Sequence, residues 1–375
     1  MTDRSTSSIL IIAGEASGDR HAAALVGEIQ ALRDNCSFWG IGGDHLRARG
    51  VETLYDAAQM NVIGFVEVLK RYRFFRSVLD SIIRTAAERR PAFAILVDYP
   101  GFNLRLARQL HALGIPVVYY IAPQVWAWKE RRVEEIRKYV RDLIVVFPFE
   151  VAFFAKHGVT AHFFGHPMID DVVDDANAIV RGGFKPPPTA TTIAYLPGSR
   201  REEIERHMPV LTEVMAALGP SFRHMIPLAS TVSREVLEPY RQRANFEIVN
   251  SAHEALSVAG AALVKSGTST LDALLLDVPC AVFYKTSTSS YHIVKWLINV
   301  RFIAMINVLA GRMIVREFIQ NSMTASALLA ELRALLENQE YRGRVLEGMR
   351  EVRDGLGQPG SAARVARFIV DRYLT

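Results

Sequence analysis

The sequence predicts an α/β protein built from two doubly wound domains that face a cleft. Short, continuously apolar segments such as SILIIA at 8–13 and FAILV at 93–97 alternate with helix-like segments. Uninterrupted apolar strands between helices are typical of parallel sheets that are covered on both faces. The alternation stops at 182–192, which contains three consecutive prolines, and then starts again. A chain of 375 residues is long enough for two such domains.

The first domain is predicted to extend over residues 1–168. Its apolar segments predict strands at 8–13, 37–41, 93–97, 116–121 and 143–147, and helices are predicted at 19–32, 71–89, 103–113 and 131–139. Residues 169–191 are predicted to form a semi-rigid linker, because proline can neither continue a helix nor donate a hydrogen bond to a strand.

The second domain is predicted to extend over residues 192–354. Strands are expected at 192–196, 223–227, 246–249, 261–265 and 281–284, the last of these being the last clear strand, with helices at 202–218, 233–243 and 270–276. From residue 326 onward the chain is expected to be helical, with a break at 355–360. Residues 355–375 are predicted to be a C-terminal helix that packs on the first domain or on a partner.

Composition predicts a cytoplasmic protein. The longest apolar runs are far shorter than the roughly 18–20 residues of a membrane span, and the start of the chain lacks the long apolar region of a signal peptide. Cys36 and Cys280 are far apart and indicate neither a disulfide framework nor a metal site. The formal net charge of +5 favours anionic partners.

Three loops follow predicted strands, where ligands of open parallel sheets bind: AGEASGD at 13–19, LPGSR at 196–200 and KSGTSTLD at 265–272. In the third loop, hydroxyl groups and a glycine favour a diphosphate, although a simple Ser/Thr helix cap is the alternative. In the second, Arg200 would clamp a diphosphate, or would pair with Glu202 or Glu203 on the surface. None of the loops has the Gly-Lys-Ser/Thr of a P-loop, and GIGGDH at 40–45 lacks the third glycine of a dinucleotide fingerprint.

Asp98 directly follows the predicted strand 93–97, so it is a candidate general base. The alternative is that it caps the next helix together with Asn103. The chain has no Asp-x-Asp motif for a divalent cation, and its Asp pairs at 170–171 and 174–175 resemble a solvated face. Arg200 and backbone amides are therefore expected to neutralise a leaving group without a metal. His166 is expected to serve packing or a hinge.

A segment at 61–79 interleaves bulky apolar side chains with cations, which suits the boundary of an anionic bilayer. The predicted membrane contacts are Val66, Leu69, Arg71, Tyr72, Arg73, Phe74 and Phe75. A core helix with a solvated basic face is the alternative. Because the cations form one short cluster, a nucleic-acid partner is not favoured. Trp126 and Trp128 form a second aromatic and basic patch beside the expected cleft.

Eight segments together resemble the lipid-A-disaccharide synthase family. They are AGEASGD (13–19), DYPGFN (98–103), APQVWAWKERR (122–132), FPFEVAFF (147–154), GHP (165–167), LPGSR (196–200), KSGTSTLD (265–272) and NVLAG…VREFIQ (307–320). They occur in the family's order over residues 8–320. The resemblance implies a GT-B fold with two Rossmann-like domains and an inverting glycosyltransferase.

The resemblance also implies the substrates. The family transfers 2,3-diacylglucosamine from UDP to 2,3-diacylglucosamine 1-phosphate (lipid X), forming the β-1,6-linked lipid A disaccharide 1-phosphate and UDP. Its members are Gram-negative enzymes that lie peripherally on the cytoplasmic side of the inner membrane and need no cofactor or metal. Some form homodimers that exchange C-terminal elements. The stripe at 61–79 then becomes an expected access route for acyl chains.

The resemblance assigns roles to particular residues. The UDP-binding set is Ser199, Arg200, Ser266, Gly267, Thr268, Thr270, Asn307, Glu317 and Gln320. Asp98 corresponds to the proposed base for the acceptor 6-hydroxyl, and Glu15, Ser17, Asp19 and Asn103 are expected on the acceptor side of the cleft. Glu317 would bind the ribose hydroxyls, because a carboxylate accepts two hydrogen bonds.

The chain departs from the family pattern at three places. Gly101 replaces a common Asp, Asp272 replaces a Glu, and Met305 and Ile306 stand before Asn307 where a Pro is expected. Gly101 lies close to the candidate base Asp98, on the acceptor side. Two alternatives remain: an enzyme similar to UDP-N-acetylglucosamine 2-epimerase, and a non-catalytic nucleotide-binding module on the membrane.

Overall fold

The computed structural model describes residues 6–60, 72–128, 130–173, 189–229, 232–287 and 301–374. The chain divides into two compact units. The first contains Met1–Pro167 together with Gln358–Thr375, and the second contains Met168–Gly357. Each unit contains one sheet of parallel strands with helices, which confirms the predicted fold class.

The sheet of the first unit has seven strands. They are β1 (Ser7–Ala13), β2 (Cys36–Gly42), β3 (Glu52–Asp56), β4 (Phe93–Val97), β5 (Val117–Tyr120), β6 (Asp142–Val145) and β7 (Ala161–Phe163). Their spatial order is β3-β2-β1-β4-β5-β6-β7, so the direction of winding reverses between β1 and β4. Ligands of open parallel sheets bind beyond the carboxyl ends of the strands at such a reversal.

Helices cover both faces of this sheet. They are α1 (Ala16–Leu32), α2 (Asp44–Ala48), α3 (Ala57–Met60), α4 (Tyr72–Arg89), α5 (Pro100–Ala112), α6 (Val125–Trp128), α7 (Val133–Tyr139) and α8 (Pro148–Lys156). Successive residues of β1 enter opposite cores, since strand side chains alternate between faces: Ile9 and Ile11 pack on one side, Leu10 and Ile12 on the other.

The sheet of the second unit has six strands, in the order β10-β9-β8-β11-β12-β13. They are β8 (Thr189–Leu196), β9 (Arg223–Pro227), β10 (Glu247–Val249), β11 (Ala259–Lys265), β12 (Cys280–Tyr284) and β13 (Glu317–Ile319). Winding reverses between β8 and β11, where Leu196 lies opposite Val264. The loops at 196–200 and 265–272 therefore leave neighbouring strands at the same edge.

Two of the helices predicted for this unit, 202–218 and 270–276, are observed with bounds shifted by at most one residue. The helices of the unit are α9 (Arg201–Leu218), α10 (Glu238–Arg241), α11 (Ala252–Ser257), α12 (Ser269–Leu275), α13 (Met305–Ala310), α14 (Ala325–Glu337) and α15 (Gln339–Gly355). A last helix, α16 (Ser361–Tyr373), belongs to the first unit and packs against α1. Arg372 and Tyr373 donate hydrogen bonds to the buried carboxylate of Asp142.

Some predicted bounds in the second unit are wrong. Residues 233–243 are not one helix, because Pro239 lacks an N–H donor and the chain forms a 3₁₀ turn (Arg234–Val236) before α10. The strand at 281–284 is not the final one: Glu317–Ile319 is too short to be recognised by its own apolar pattern, and pairing with β12 makes it a strand. Residues 189–191, predicted as linker, already belong to β8. Most of that linker, 174–188, lies outside the described residues.

Candidate active site

Asp98 lies at the winding reversal of the first sheet. It follows β4 directly, and both Asp98 and Tyr99 have left-handed backbone, with φ of 44° and 48°. Two hydrogen bonds hold the Asp98 carbonyl oxygen: Asn103 Nδ2 donates at 2.7 Å and the Tyr119 hydroxyl at 2.5 Å. Because α5 has no side-chain cap bond, a capping role for Asp98 is not supported. The fold instead uses Asn103 to shape the turn that presents Asp98.

Burial and, to a lesser extent, the nearby negative charge of Glu15 together raise the pKa of Asp98 to about 6, against the opposing effect of a hydrogen bond from the Tyr99 N–H. Glu15 follows β1, the neighbour of β4, which explains why the two carboxylates interact. A carboxylate with this pKa is ionised above pH 6, so Asp98 is suited to accept a proton at neutral pH.

We expect Glu15→Gln to shift the acidic limb of the kcat/KM pH profile to lower pH. Removing the neighbouring negative charge lowers the pKa of Asp98, so the ionised base persists in more acidic solution. The measurement is kcat/KM from pH 5 to 8, with Glu134→Gln, a distant exposed carboxylate paired with Arg137, as control. An unmoved limb, or a shift to higher pH, would contradict the coupling.

The other acceptor-side candidates have different environments. Ser17 is exposed at the start of α1. Asp19 is buried, and its carboxylate accepts hydrogen bonds from the backbone N–H groups of Gly43, His45 and Leu46. The prediction that Asp19 lines the acceptor side is corrected, because its oxygens cap α2. Asn103 is likewise fully buried, and its Nδ2 also donates to the carbonyl of Val97, the residue before Asp98.

An apolar cavity of about 480 Å³ lies between α4 and the start of α5. Its lining residues are Tyr72, Phe75, Arg76, Leu79, Asp80, Tyr99, Gly101, Phe102 and Arg105. Tyr99 connects it to the turn of Asp98, and the Tyr99 ring lies so close to Gly14 that a Cβ there would come within 2.6 Å of it. A Cβ on Gly101 would meet nothing within 4 Å, so this departure from the family leaves open space in the cavity.

The predicted membrane stripe is divided by the structure. Val66, Leu69 and Arg71 lie outside the described residues. Tyr72 is 50% exposed and Arg73 is exposed, whereas Phe74 and Phe75 are partly buried against the core. Within the described part of the chain, no helix has both the length and the hydropathy needed to cross a membrane.

The short helix α6, which contains Trp126, is held in place by a residue that the sequence analysis missed. Glu150 is fully buried and accepts hydrogen bonds from Trp126 Nε1 at 2.9 Å and from the Val146 and Phe147 N–H groups. Burial raises the pKa of Glu150 to about 7, and these hydrogen bonds oppose the rise. A glutamate within the apolar run FPFEVAFF was the available signal. His166 packs at 5.1 Å from the Phe147 ring, and burial lowers its pKa to about 3.

In the second unit, Arg200 caps the start of α9 and is 50% exposed. Its Nη1 lies 3.4 Å from Glu203 Oε1, so the pairing considered as an alternative does occur. Glu203 also contacts Lys265 Nζ at 3.0 Å and accepts the Ser199 N–H at 3.2 Å. Gly198, with φ of 127°, is required here because a Cβ would come within 2.4 Å of the Glu203 carboxylate.

The loop at 265–272 uses two of its hydroxyls internally. Ser266 donates to the Ile303 carbonyl at 2.7 Å, and Thr270 is buried and donates to Gly267. Thr268 is exposed and stands at the N-cap position of α12. Its side chain makes no hydrogen bond to the first turn of that helix, so the simple Ser/Thr cap is not observed. Gly267, Thr268 and Ser199 line a cavity of about 290 Å³ that extends to 227–229 and 250–252.

Asn307, Glu317 and Gln320 form a second group. Glu317 accepts hydrogen bonds from the Ile303 and Ala304 N–H groups and from Asn307 Nδ2. Asn307 is fully buried. Gln320 has left-handed backbone, and its Oε1 accepts the Thr286 N–H at 3.1 Å. Asn307 therefore positions Glu317, and the Ser266 bond to Ile303 joins this group to the preceding loop.

Two further residues connect the loops of the second unit to neighbouring segments. His207 donates from Nδ1 to the Pro197 carbonyl at 2.7 Å and accepts the Lys285 N–H at Nε2, and burial lowers its pKa. Asp272, which replaces the longer Glu of the family, accepts a hydrogen bond from His253 at 3.0 Å and so joins α12 to α11. The described residues contain no group of three or more His, Cys, Asp or Glu side chains able to hold a metal ion.

Comparison with known families decides the identity. A sequence profile described as lipid-A-disaccharide synthetase matches residues 9–364. The chain belongs to the lipid-A-disaccharide synthetase family. Lipid-A-disaccharide synthases of Anaeromyxobacter dehalogenans (strain 2CP-C) and Myxococcus xanthus are 41% and 39% identical to it over 374 and 370 residues, covering 98% and 97% of each chain. As a member of this synthetase family, the protein is a UDP-sugar-dependent glycosyltransferase.

Solved structures share the fold at low sequence identity. UDP-GlcNAc 2-epimerase from Neisseria meningitidis, bound to UDP-GlcNAc, has a TM-score of 0.66 at 12% identity, with 97% of this chain and 99% of that chain covered. The calicheamicin glycosyltransferase has a TM-score of 0.56 at 14% identity, with 99% and 100% covered. These likenesses support the GT-B fold, and membership of the synthetase family favours the transferase over the epimerase.

Proposed function

We propose that this protein carries out the reaction of its family through Asp98 in the first unit and Arg200 in the second. It transfers 2,3-diacylglucosamine from UDP-2,3-diacylglucosamine to lipid X, forming the β-1,6-linked lipid A disaccharide 1-phosphate and UDP. The observation that carries the proposal is Asp98, held by Asn103 and Tyr119 at the winding reversal with a pKa of about 6.

In the proposed reaction, the acceptor O6 attacks C1 of the donor sugar as Asp98 takes its proton. The bond between C1 and the diphosphate oxygen breaks, and its electron pair leaves with UDP. Arg200 stabilises the negative charge that develops on the diphosphate, because a guanidinium binds phosphate through a planar pair of donors. Attack from the face opposite the leaving group inverts the configuration at C1.

Turnover with the two acylated substrates tests the proposal. Purified protein incubated with UDP-2,3-diacylglucosamine and lipid X should release UDP and form a disaccharide, measured by coupled UDP detection and mass spectrometry. Omission of lipid X serves as control. Absence of UDP release in the complete mixture would refute the function, and conversion of UDP-GlcNAc to its 2-epimer would indicate the epimerase alternative.

We assign the apolar cavity between α4 and α5 to an acyl chain of lipid X. The cavity begins at Tyr99, beside the proposed base, and most of its lining is aromatic or aliphatic. Arg76 and Arg105 in its lining supply positive charge for the 1-phosphate of the acceptor, which Asp80, 3.9 Å from Arg76, offsets only in part. The apolar lining would otherwise be covered by water, so burying an acyl chain there is favourable.

Gly101→Leu should fill this cavity and raise the KM for lipid X at least about tenfold, since the loss of a few buried methylenes at ~0.8 kcal/mol each reaches that factor. The fold should tolerate the change because the space around Gly101 is open. Steady-state kinetics with lipid X checks the effect. Gly343→Leu, another helical position with nothing within 4 Å, is the control. An unchanged KM for lipid X would show that its acyl chain does not bind in this cavity.

The proposal includes contact with the inner membrane at the start of α4. Tyr72 and Arg73 are exposed there, whereas Phe74 and Phe75 pack inward, so the first pair is the better test. We expect Tyr72→Ser with Arg73→Ser to reduce sedimentation with anionic liposomes severalfold without lowering Tm. Leu113→Ser, an exposed apolar position at the end of α5, is the control. Undiminished liposome binding would contradict the contact. Homodimerisation stays a prediction.

A further inference from the structure

Lys265 lies beside residues that the proposed function assigns to UDP, but it has no role of its own in that proposal. Lys265 is the last residue of β11, and Arg200 follows β8, the neighbouring parallel strand. The segments that follow these two strands leave the sheet at the same edge, so both cations reach the same carboxylate, Glu203. The Glu203 carboxylate thus pairs with two cationic side chains, a guanidinium and an ammonium, and both are groups that bind phosphate in proteins.

The charges of this cluster do not balance. Two cations face one anion, so the three side chains carry a formal charge of +1, and Lys265 among them lines the 290 Å³ cavity. His207 does not compensate or add to it, because burial lowers its pKa and its Nδ1–H donates to the Pro197 carbonyl. The Lys265 side chain is only 20% exposed and shares the Glu203 carboxylate with Arg200, so a second anion near its ammonium is favourable.

The surroundings show what kind of anion fits. Lys265 lines the cavity together with Ser199, Gly267 and Thr268, and the last two contribute backbone N–H groups and a hydroxyl. The lining also includes 227–229 and 250–252, with Leu228 and Ala229 as apolar surface and Asn250 as a polar group. A cationic end and an apolar, amide-bearing end match a ligand with a diphosphate at one end and a nucleoside at the other.

We infer that Lys265 binds the diphosphate of the nucleotide-sugar donor together with Arg200, and that Glu203 positions both cations. The inference rests on the proposed function and adds a binding residue to it. Glu203 reaches back under Gly198 to hold the Ser199 N–H, so one side chain orients the loop and both positive groups. Lys265 contributes affinity that depends on phosphate and is independent of the base and the acyl chains.

The test compares ligands that differ only in phosphate. The full chain is titrated calorimetrically with UDP, UMP, uridine and inorganic pyrophosphate. Lys265→Met should weaken UDP and pyrophosphate about ten- to a hundredfold, the range for loss of a charge-assisted hydrogen bond, and leave uridine unchanged. Lys265→Arg should recover most of the affinity. Lys156→Met, an exposed lysine of the first unit, is the control.

Each outcome has a distinct meaning. Equal losses for UDP and uridine would show that the ion pair with Glu203 is only structural, and unchanged UDP affinity would also overturn the inference. Wild-type protein that binds no UDP would instead refute the proposed function. If Lys265→Met fails to fold, amine acylation of the wild type followed by mass spectrometry replaces it. UDP and pyrophosphate, but not uridine, should then protect Lys265, and no protection would overturn the inference.

Discussion

Asp98→Asn is expected to lower turnover about a hundred- to ten-thousandfold, the range for removal of a general base. The amide has nearly the same shape, and asparagine tolerates the left-handed backbone at this position better than most residues. Asn103 and Tyr119 donate to the backbone carbonyl of Asp98 and not to its carboxylate, so the turn should persist. UDP affinity should remain that of the wild type, since Asp98 belongs to the acceptor side.

The measurement is kcat with both substrates saturating, together with calorimetric UDP binding. Asp44→Asn is the matched control, because the Asp44 side chain is 96% exposed and lies outside the site. The wild-type kcat should also fall as pH drops through about 6, since protonation removes the base. Turnover of Asp98→Asn close to wild type would exclude Asp98 as the base.

Arg200→Ala is expected to lower kcat/KM for the donor about a hundred- to a thousandfold, as observed when a preorganised donor to a developing negative charge is removed. The guanidinium is half exposed and its Nη1 lies 3.4 Å from Glu203 Oε1, so it is available to a diphosphate at little structural cost. Because Lys265 still occupies Glu203, the cluster does not retain an unpaired carboxylate.

Arg201→Ala provides the comparison at the next residue. Its guanidinium pairs with Glu205 on the exposed side of α9, and its loss should leave donor kinetics unchanged. Unfolding curves of both variants separate binding from stability. Equal effects of the two substitutions, or an unchanged donor kcat/KM in Arg200→Ala, would refute the clamp.

The loops that carry the site could be predicted because their signals are local. Buried strands are recognisable as apolar runs, and the residues directly after them must lie at the carboxyl edge of a parallel sheet. This reasoning placed Asp98 after β4 and Arg200 after β8, where the structure has them. The resemblance to the family selected these two from other carboxylates and arginines.

The sequence alone thus determined the parallel α/β organisation and which loops face a ligand. Only the tertiary structure decided which carboxylates in those loops are engaged, because their partners are distant in the chain. Asp19 caps a helix 24 residues away, and Glu317 receives N–H groups from Ile303 and Ala304. Lys265 lies far from Glu203 in sequence and meets it because β8 and β11 are neighbours. Strand order is set by packing between remote segments, so it leaves no local signal.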